Sequence, residues 1–352
     1  MSNTTIIDTL TQYEQIVKDI KRKIYKPVYF LCGEESYFIE QLIKMFEEEI
    51  LKPEEKFFNL INLEGKDIDI RTIIASCHRY PFFDNYQIVI VRNAQEIKEL
   101  TKHTEDIDLL IKYIKNPFSS TILIIEYKKE SLDKRTTLYK TLSQYGIYFE
   151  SKKLNNKSLF KWIKNFFITN NVEIEDKHID LIIEYLENDL TLISNELNKL
   201  LLYSKGSNKI DISIIESVIG VSKEYNSFEL INALAKKNFN KAAKIINYFY
   251  KNPKDNPPEK ILGIIFSFFN KLLIYKTYEK EPLNFIAEKI EVPVYYINDY
   301  KIASKLYTFK EIEKKISILN EFDLRIKGII GFTQPQELFK ELIAKLINES
   351  YN

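Results

Sequence analysis

Residues 79–91 carry the clearest signal of the fold and read Arg79-Tyr80-Pro81-Phe82-Phe83-Asp84-Asn85-Tyr86-Gln87-Ile88-Val89-Ile90-Val91. The last four residues form a β-branched run, which predicts a strand covered on both faces of a sheet. Upstream, apolar residues recur at helical spacing and predict a helix that runs up to the proline. The proline and the Asp-Asn pair indicate a tight helix-to-strand connection at the surface.

Two adjacent phenylalanines lie in this connection, in the segment Pro81-Phe82-Phe83, which we call the aromatic turn. If the rings were buried, they would hold the end of the helix against the sheet. If they were exposed, they would form a small apolar contact for a partner. On the residues of the turn alone, burial is the favoured interpretation.

Apolar runs of strand length alternate with helical patterns through the first 150 residues. The runs lie at 28–32, 57–63, 87–91, 121–126 and 147–150. This alternation predicts a parallel sheet covered by helices on both faces. Residues 1–150 are therefore expected to form an α/β domain of the nucleotide-binding type.

After about residue 151 the strand signal disappears and helical periodicity continues to the end of the chain. Residues 151–220 are expected to form a small helical domain. From residue 221 to 352, prolines interrupt the helical pattern and mark loops or helix starts. This last part is expected to be an all-helical bundle of about five to seven helices, so the predicted fold class is α/β followed by all-α.

Composition narrows the possible functions. The 352 residues carry 51 Lys and Arg against 50 Asp and Glu, a formal net charge of +1. A protein that coats nucleic acid through global positive charge is therefore excluded, and any DNA contact must come from local patches. The two cysteines, Cys32 and Cys77, are expected to be reduced core residues. With no secretory segment and no membrane-length apolar run, a soluble cytoplasmic protein without membrane contact is expected.

The first strand and the helix after it are where a phosphate-binding loop would lie. The stretch reads Gly33-Glu34-Glu35-Ser36, with one glycine, no lysine and two carboxylates. Repulsion between these carboxylates and a triphosphate would exceed what the helix dipole contributes, roughly 0.3–1 kcal/mol. We therefore expect a degenerate loop that does not bind ATP in the usual way, and no other cofactor.

The second half of an ATPase site is also missing. The strand that follows the aromatic turn should end in an acid for magnesium, but it continues as Arg92-Asn93-Ala94. The three histidines are far apart and no cysteine pair has metal spacing, so no metal site is expected. No catalytic nucleophile motif is present either, so no catalytic residue is predicted.

One cluster of positive charge has regular spacing. Lys157, Lys161 and Lys164 recur every three or four residues and therefore share one face of a predicted helix. A solvated helix face is the favoured interpretation. The alternative is a strip that follows the phosphates of DNA.

The chain resembles the delta subunit of the bacterial DNA polymerase III clamp loader over nearly its full length. Four groups of residues carry the resemblance, namely 26–39, 80–94, 188–200, and 228–235 with 292–293 and 321–328. Each stretch is short and mostly apolar, so the specificity lies in their order and spacing. The first contains the degenerate phosphate loop, and the second contains the aromatic turn.

The resemblance implies an AAA+-like domain at 1–150, a lid at 151–220 and a helical collar at 221–352. It also implies a subunit without ATPase activity of its own, in the DNA-directed DNA polymerase holoenzyme, a nucleotidyltransferase complex. Pro81, Phe82 and Phe83 match the family's clamp-binding wedge, which reverses the interpretation of the turn as buried. Phe82 departs mildly from the Leu or Met common at that position.

The implied partners are the sliding clamp, the ATPase subunits and delta prime subunit of the loader through the collar, and primer-template DNA within the assembly. Two alternatives remain. A divergent AAA+ ATPase such as a helicase loader would need the absent lysine after Gly33. The sister stator subunit, delta prime, usually carries a zinc-binding cysteine cluster and a Ser-Arg-Cys element, and this sequence has neither.

Overall fold

The computed structural model describes most of the chain. The described residues are 8–82, 86–98, 100, 104–128, 131–186, 188–204, 208–220, 222, 224–254, 256–331, 338, 341–342 and 344–346. The phenylalanine at position 83 of the aromatic turn lies outside them.

The first part of the chain alternates strands and helices, as the sequence predicts. Its strands are β1 Val28–Gly33, β2 Leu60–Glu64, β3 Gln87–Arg92, β4 Thr121–Lys128 and β5 Ile147–Glu150. Its helices are α1 Thr9–Lys21, α2 Ser36–Glu49, α3 Lys56–Asn59, α4 Ile70–Cys77, α5 Glu105–Lys115, α6 Thr137–Tyr145 and α7 Asn156–Thr169.

The five strands form one parallel sheet in the order β2-β3-β4-β1-β5. Alternate residues of β1 point to opposite faces. Val28, Phe30 and Cys32 join a core that includes residues of α4, α5 and α6. On the other face the Tyr29 ring packs on Phe46 of α2, with ring centroids 4.5 Å apart. The predicted parallel sheet covered on both faces is therefore confirmed.

The predicted strand at 57–63 is wrong at its start, because β2 begins only at Leu60. The three residues before it belong to the single helical turn α3. Glu55 initiates this turn, since its carbonyl accepts the backbone N–H groups of Phe58 and Asn59 at 3.1 and 2.9 Å. Two adjacent phenylalanines are thereby placed on a turn instead of on opposite faces of a sheet.

The rest of the described chain is almost entirely helical. The helices are α8 Asp176–Leu186, α9 Leu190–Tyr203, α10 Ile212–Ile219, α11 Ser227–Ala235, α12 Phe239–Lys251, α13 Pro258–Thr277, α14 Leu283–Ile290, α15 Ile297–Leu306 and α16 Phe309–Ile326. Two short strands, β6 Glu173–Ile174 and β7 Lys209–Ile210, pair in parallel. The expectation that strands end at about residue 151 is therefore corrected by this small pair, which is too short to give a period-2 signal.

The chain divides into two compact units. The first comprises residues 1–170 and 186–195, and the second comprises 171–185 and 196–352. In the second unit α11 to α16 share a continuous apolar core that also includes Leu338, Leu342 and Leu346. The division into three domains at 150 and 220 stays a prediction. No helix among the described residues is long and apolar enough to cross a membrane.

Candidate functional site

The residues of the degenerate phosphate loop connect β1 to α2. Glu34 is exposed, and Glu35 is the N-cap of α2, where its carboxylate accepts the backbone N–H of Tyr37 at 3.1 Å. Partial burial raises the pKa of Glu35 above its ordinary value, and this hydrogen bond opposes the rise. The N-terminus of α2, where a phosphate group would bind, is thus occupied by a carboxylate of the chain itself.

The loop is also closed from the side by the residue that follows β5. The Ser151 carbonyl accepts the backbone N–H of Glu35 at 3.1 Å, and the Ser151 N–H donates to the Cys32 carbonyl at 2.6 Å. Gly33 has φ +122°, and a Cβ atom there would lie 2.1 Å from the Ser151 oxygen. The backbone of Ser151 therefore uses one of the amide groups that a phosphate-binding loop would offer to its ligand.

The carboxyl ends of β3 and β4 carry a buried acid that sequence reasoning missed. Glu126 is fully buried, and its carboxylate accepts the backbone N–H of Asn93 at 3.2 Å. The Lys128 ammonium lies 3.4 Å from this carboxylate, and the Arg92 guanidinium lies 3.8 Å from it. A charged residue inside an apolar strand run was the available signal, since a buried charge requires a partner.

Both cations of this cluster also pair with acids on α2. Arg92 lies 3.2 Å from Glu47, and Lys128 lies 3.1 Å from Glu40. The positive charge at the ends of these two strands is therefore neutralised within the domain. Among the residues that the structure describes, no group of three potential ligands could hold a metal ion.

The aromatic turn lies between α4 and β3, where the sequence places it. Pro81 is half-buried, and the side chain of Phe82 is 53% exposed. Phe82 is therefore not a staple in the core, and the use of its ring as an apolar contact for a partner stays a prediction.

Two residues of α3, which the sequence reasoning assigned to a strand, support the aromatic turn. The Asn59 side chain is buried and holds the backbone of Phe82 at both polar groups. Its Oδ1 accepts the Phe82 N–H at 2.6 Å, and its Nδ2 donates to the Phe82 carbonyl at 3.0 Å. The Phe58 ring stacks on the Phe82 ring with centroids 5.2 Å apart. An asparagine next to two phenylalanines was the only local signal, and its partner lies 23 residues away.

The three predicted DNA-contacting lysines lie on α7. Lys157 and Lys161 are exposed, Lys164 is half-buried, and the Lys164 ammonium lies 5.8 Å from the centroid of the Phe160 ring. The opposite face of the helix carries the buried residues Leu159, Ile163 and Phe167. The lysines therefore share the outer face of α7, but contact with DNA stays a prediction.

Reversal of these charges tests the prediction. If the α7 face follows DNA phosphates, Lys157→Glu/Lys161→Glu/Lys164→Glu should reduce the slope of log K against log salt by up to about three units for the assembled complex. The measurement is fluorescence anisotropy of labelled primer-template DNA at several salt concentrations. An unchanged slope in a complex of the same composition would assign the lysines to an ordinary solvated helix face.

Comparisons with known proteins identify relatives over nearly the whole chain. A family model described as "DNA polymerase III, delta subunit" matches residues 29–152, and one described as "DNA polymerase III delta subunit, C-terminal domain" matches residues 224–346. Together the two segments span more than half of the 352 residues. The first contains the degenerate loop, the aromatic turn and the Glu126 cluster.

Individual relatives agree with the family models. The DNA polymerase III subunit delta of Bacillus subtilis is 25% identical over 341 residues, which is 95% of this chain and 96% of that protein. A probable DNA polymerase III subunit delta of Aquifex aeolicus is 21% identical over 75% of each chain. Among solved structures, the Bacillus subtilis DNA clamp loader delta protein has a TM-score of 0.53 at 23% identity, and covers 96% of this chain and 99% of that one.

Proposed function

The chain belongs to the family of DNA polymerase III delta subunits, and from this premise we propose that it binds the sliding clamp and opens the ring without hydrolysing ATP itself. The opened clamp is then loaded on primed DNA during replication. In this proposal residues 1–150 contact the clamp, 151–220 form a lid, and 221–352 form a collar. The collar joins the chain to the ATPase subunits and the delta prime subunit of the clamp loader. The structural relative from Bacillus subtilis is itself described as a clamp loader delta protein.

The observation that carries the proposal is the exposed ring of Phe82, whose backbone is held by Asn59. Pro81, directly before Phe82, has a fixed backbone φ angle, and Asn59 binds both backbone polar groups of Phe82. Because the ring is held in place before a partner arrives, little conformational entropy is lost on binding. Pro81, Phe82 and Phe83 are therefore proposed as the clamp-binding residues, on the basis of sequence alone for the last of them.

The absence of ATP chemistry is proposed from the loop and from the charges around it. A nucleotide would have to displace the Ser151 carbonyl from the Glu35 amide and place its phosphates beside the carboxylates of Glu34 and Glu35. The two nearby cations, Arg92 and Lys128, are already engaged with Glu126 and α2. Each of these features opposes triphosphate binding, so we assign the nucleotide-dependent steps of loading to other subunits.

A titration of the purified full chain against the sliding clamp from the same organism tests both halves of the proposal. We expect saturable binding without nucleotide, and the same Kd after addition of magnesium and ATP, because no site in this chain is proposed to take ATP. Isothermal calorimetry measures the clamp titration, and a separate titration with ATP alone should show no heat of binding. Clamp binding that appears only with ATP would contradict the proposal and favour a divergent AAA+ ATPase.

A further inference from the structure

Three exposed phenylalanine rings lie together at one place on the first unit, and only one of them belongs to the aromatic turn. Phe57 is 86% exposed and Phe58 is 57% exposed, although both are large apolar residues. With Phe82 they form what we call the aromatic patch, defined as these three residues. Exposed apolar side chains that are scattered singly need no explanation, whereas contiguous ones mark surfaces that bind a partner.

Ring contacts join the patch into one surface. Phe57 packs edge-on against Phe58 with centroids 5.0 Å apart, and Phe58 stacks on Phe82 with centroids 5.2 Å apart and planes 29° from parallel. Asn59, the last residue of α3, fixes this arrangement through its two hydrogen bonds to the Phe82 backbone. The helical turn α3 and Phe82 are therefore held together by two hydrogen bonds and a ring contact.

The contact between the Phe58 and Phe82 rings indicates which partner binds the aromatic patch. A partner pocket that accepts the Phe82 ring must also meet Phe58, because the two rings are stacked. We propose that α3 is the second half of the clamp-docking surface, and that Phe57 and Phe58 enter the apolar contact with the sliding clamp beside Phe82. The inference rests on the proposed function, and it adds two binding residues to the three of the aromatic turn.

The charges of residues 52–56 favour an apolar protein pocket over single-stranded nucleic acid, because Lys52 and Lys56 are matched in number by Glu54 and Glu55. Lys52, at the start of the turn that leads into α3, forms an ion pair with Glu55 at 3.0 Å. Proteins that stack bases on aromatic rings combine those rings with a positively charged groove for the backbone. Since residues 52–56 have no net charge, they do not add to such a groove.

Phe57→Ala separates contact with the clamp from support of the aromatic turn. The ring of Phe57 is almost fully exposed and touches Phe58 rather than Phe82, so its loss should leave the fold and the Phe82 ring in place. We expect Phe57→Ala to raise the Kd for the clamp about tenfold, and Phe58→Ala to raise it by more than that. The matched control is Tyr145→Ala, which removes another exposed aromatic ring at the end of α6 and should leave the Kd unchanged.

The same titrations with the full chain distinguish failure of this inference from failure of the proposed function. If Phe82→Ala/Phe83→Ala weakens clamp binding but both α3 variants bind like the wild type, the inference is overturned and the proposed function stands. If the α3 variants keep their clamp affinity but lose binding to a single-stranded oligonucleotide, the patch is a nucleic-acid site and the inference is also overturned. If the wild type fails to bind the clamp, both fall together.

Discussion

Phe82→Ala/Phe83→Ala is expected to weaken binding of the sliding clamp by about 10²- to 10⁴-fold. Burial of each ring in an apolar pocket contributes roughly 1.5–3 kcal/mol, and about 1.4 kcal/mol corresponds to a factor of ten in Kd. Adjacent contacts are not strictly additive, so the upper end of the range is a limit. The change in Kd is measured by surface plasmon resonance with immobilised clamp.

The double variant should keep its fold, because Asn59 binds the backbone of Phe82 and not its ring. Circular dichroism and thermal unfolding of the variant provide the control. An unchanged Kd in a folded double variant would contradict the assignment of the aromatic turn and place the clamp contact elsewhere on the chain. A variant that unfolds would instead indicate that the second phenylalanine is a core residue.

The second large effect is on stability. Gly33→Ala should destabilise the first unit by roughly 2–4 kcal/mol, because a side chain at φ +122° is strained and its Cβ would lie 2.1 Å from the Ser151 oxygen. Trp162 is the single tryptophan of the sequence, and its ring packs against Tyr37 and Phe38 of α2. Its fluorescence during urea unfolding therefore reports on the unit that contains the substitution.

The chain offers a matched control in Gly263→Ala. Gly263 lies inside α13, is exposed, and a Cβ there would meet no atom within 4 Å. Alanine at this position should leave the Trp162 transition unchanged and stabilise its helix by up to about 1 kcal/mol. If Gly33→Ala unfolded at the same urea concentration as the wild type, Ser151 would not close the loop as described. The Ser151 carbonyl would then not stand in the way of a nucleotide at this loop.

The main features of the fold could be predicted because they depend on local patterns. The β-branched run Ile88-Val89-Ile90-Val91 is buried on both faces, and its composition alone distinguishes it from a surface helix. The weakness of the phosphate loop could be predicted for the same reason, since Glu34 and Glu35 occupy positions that a phosphate would need.

What could not be predicted depends on contacts between distant parts of the chain. The backbone of Ser151 bonds to the degenerate phosphate loop, which lies more than a hundred residues earlier in the sequence. Glu126 forms an ion pair with Arg92 on a neighbouring strand. The apolar pair Phe57-Phe58 suggested a strand, because a single helical turn is too short to show a 3.6-residue period. They are joined to the aromatic turn through Asn59, whose hydrogen-bonding partner, Phe82, lies in the connection between α4 and β3.

The central claim is that this chain opens the sliding clamp through an aromatic surface and without nucleotide of its own. The most direct measurement follows labelled clamp on nicked circular DNA after addition of the purified full chain in the absence of ATP. The wild type is expected to release the clamp from the circle, whereas Phe82→Ala/Phe83→Ala should leave it in place. A clamp that stays on the circle although the wild type binds it would contradict the opening role.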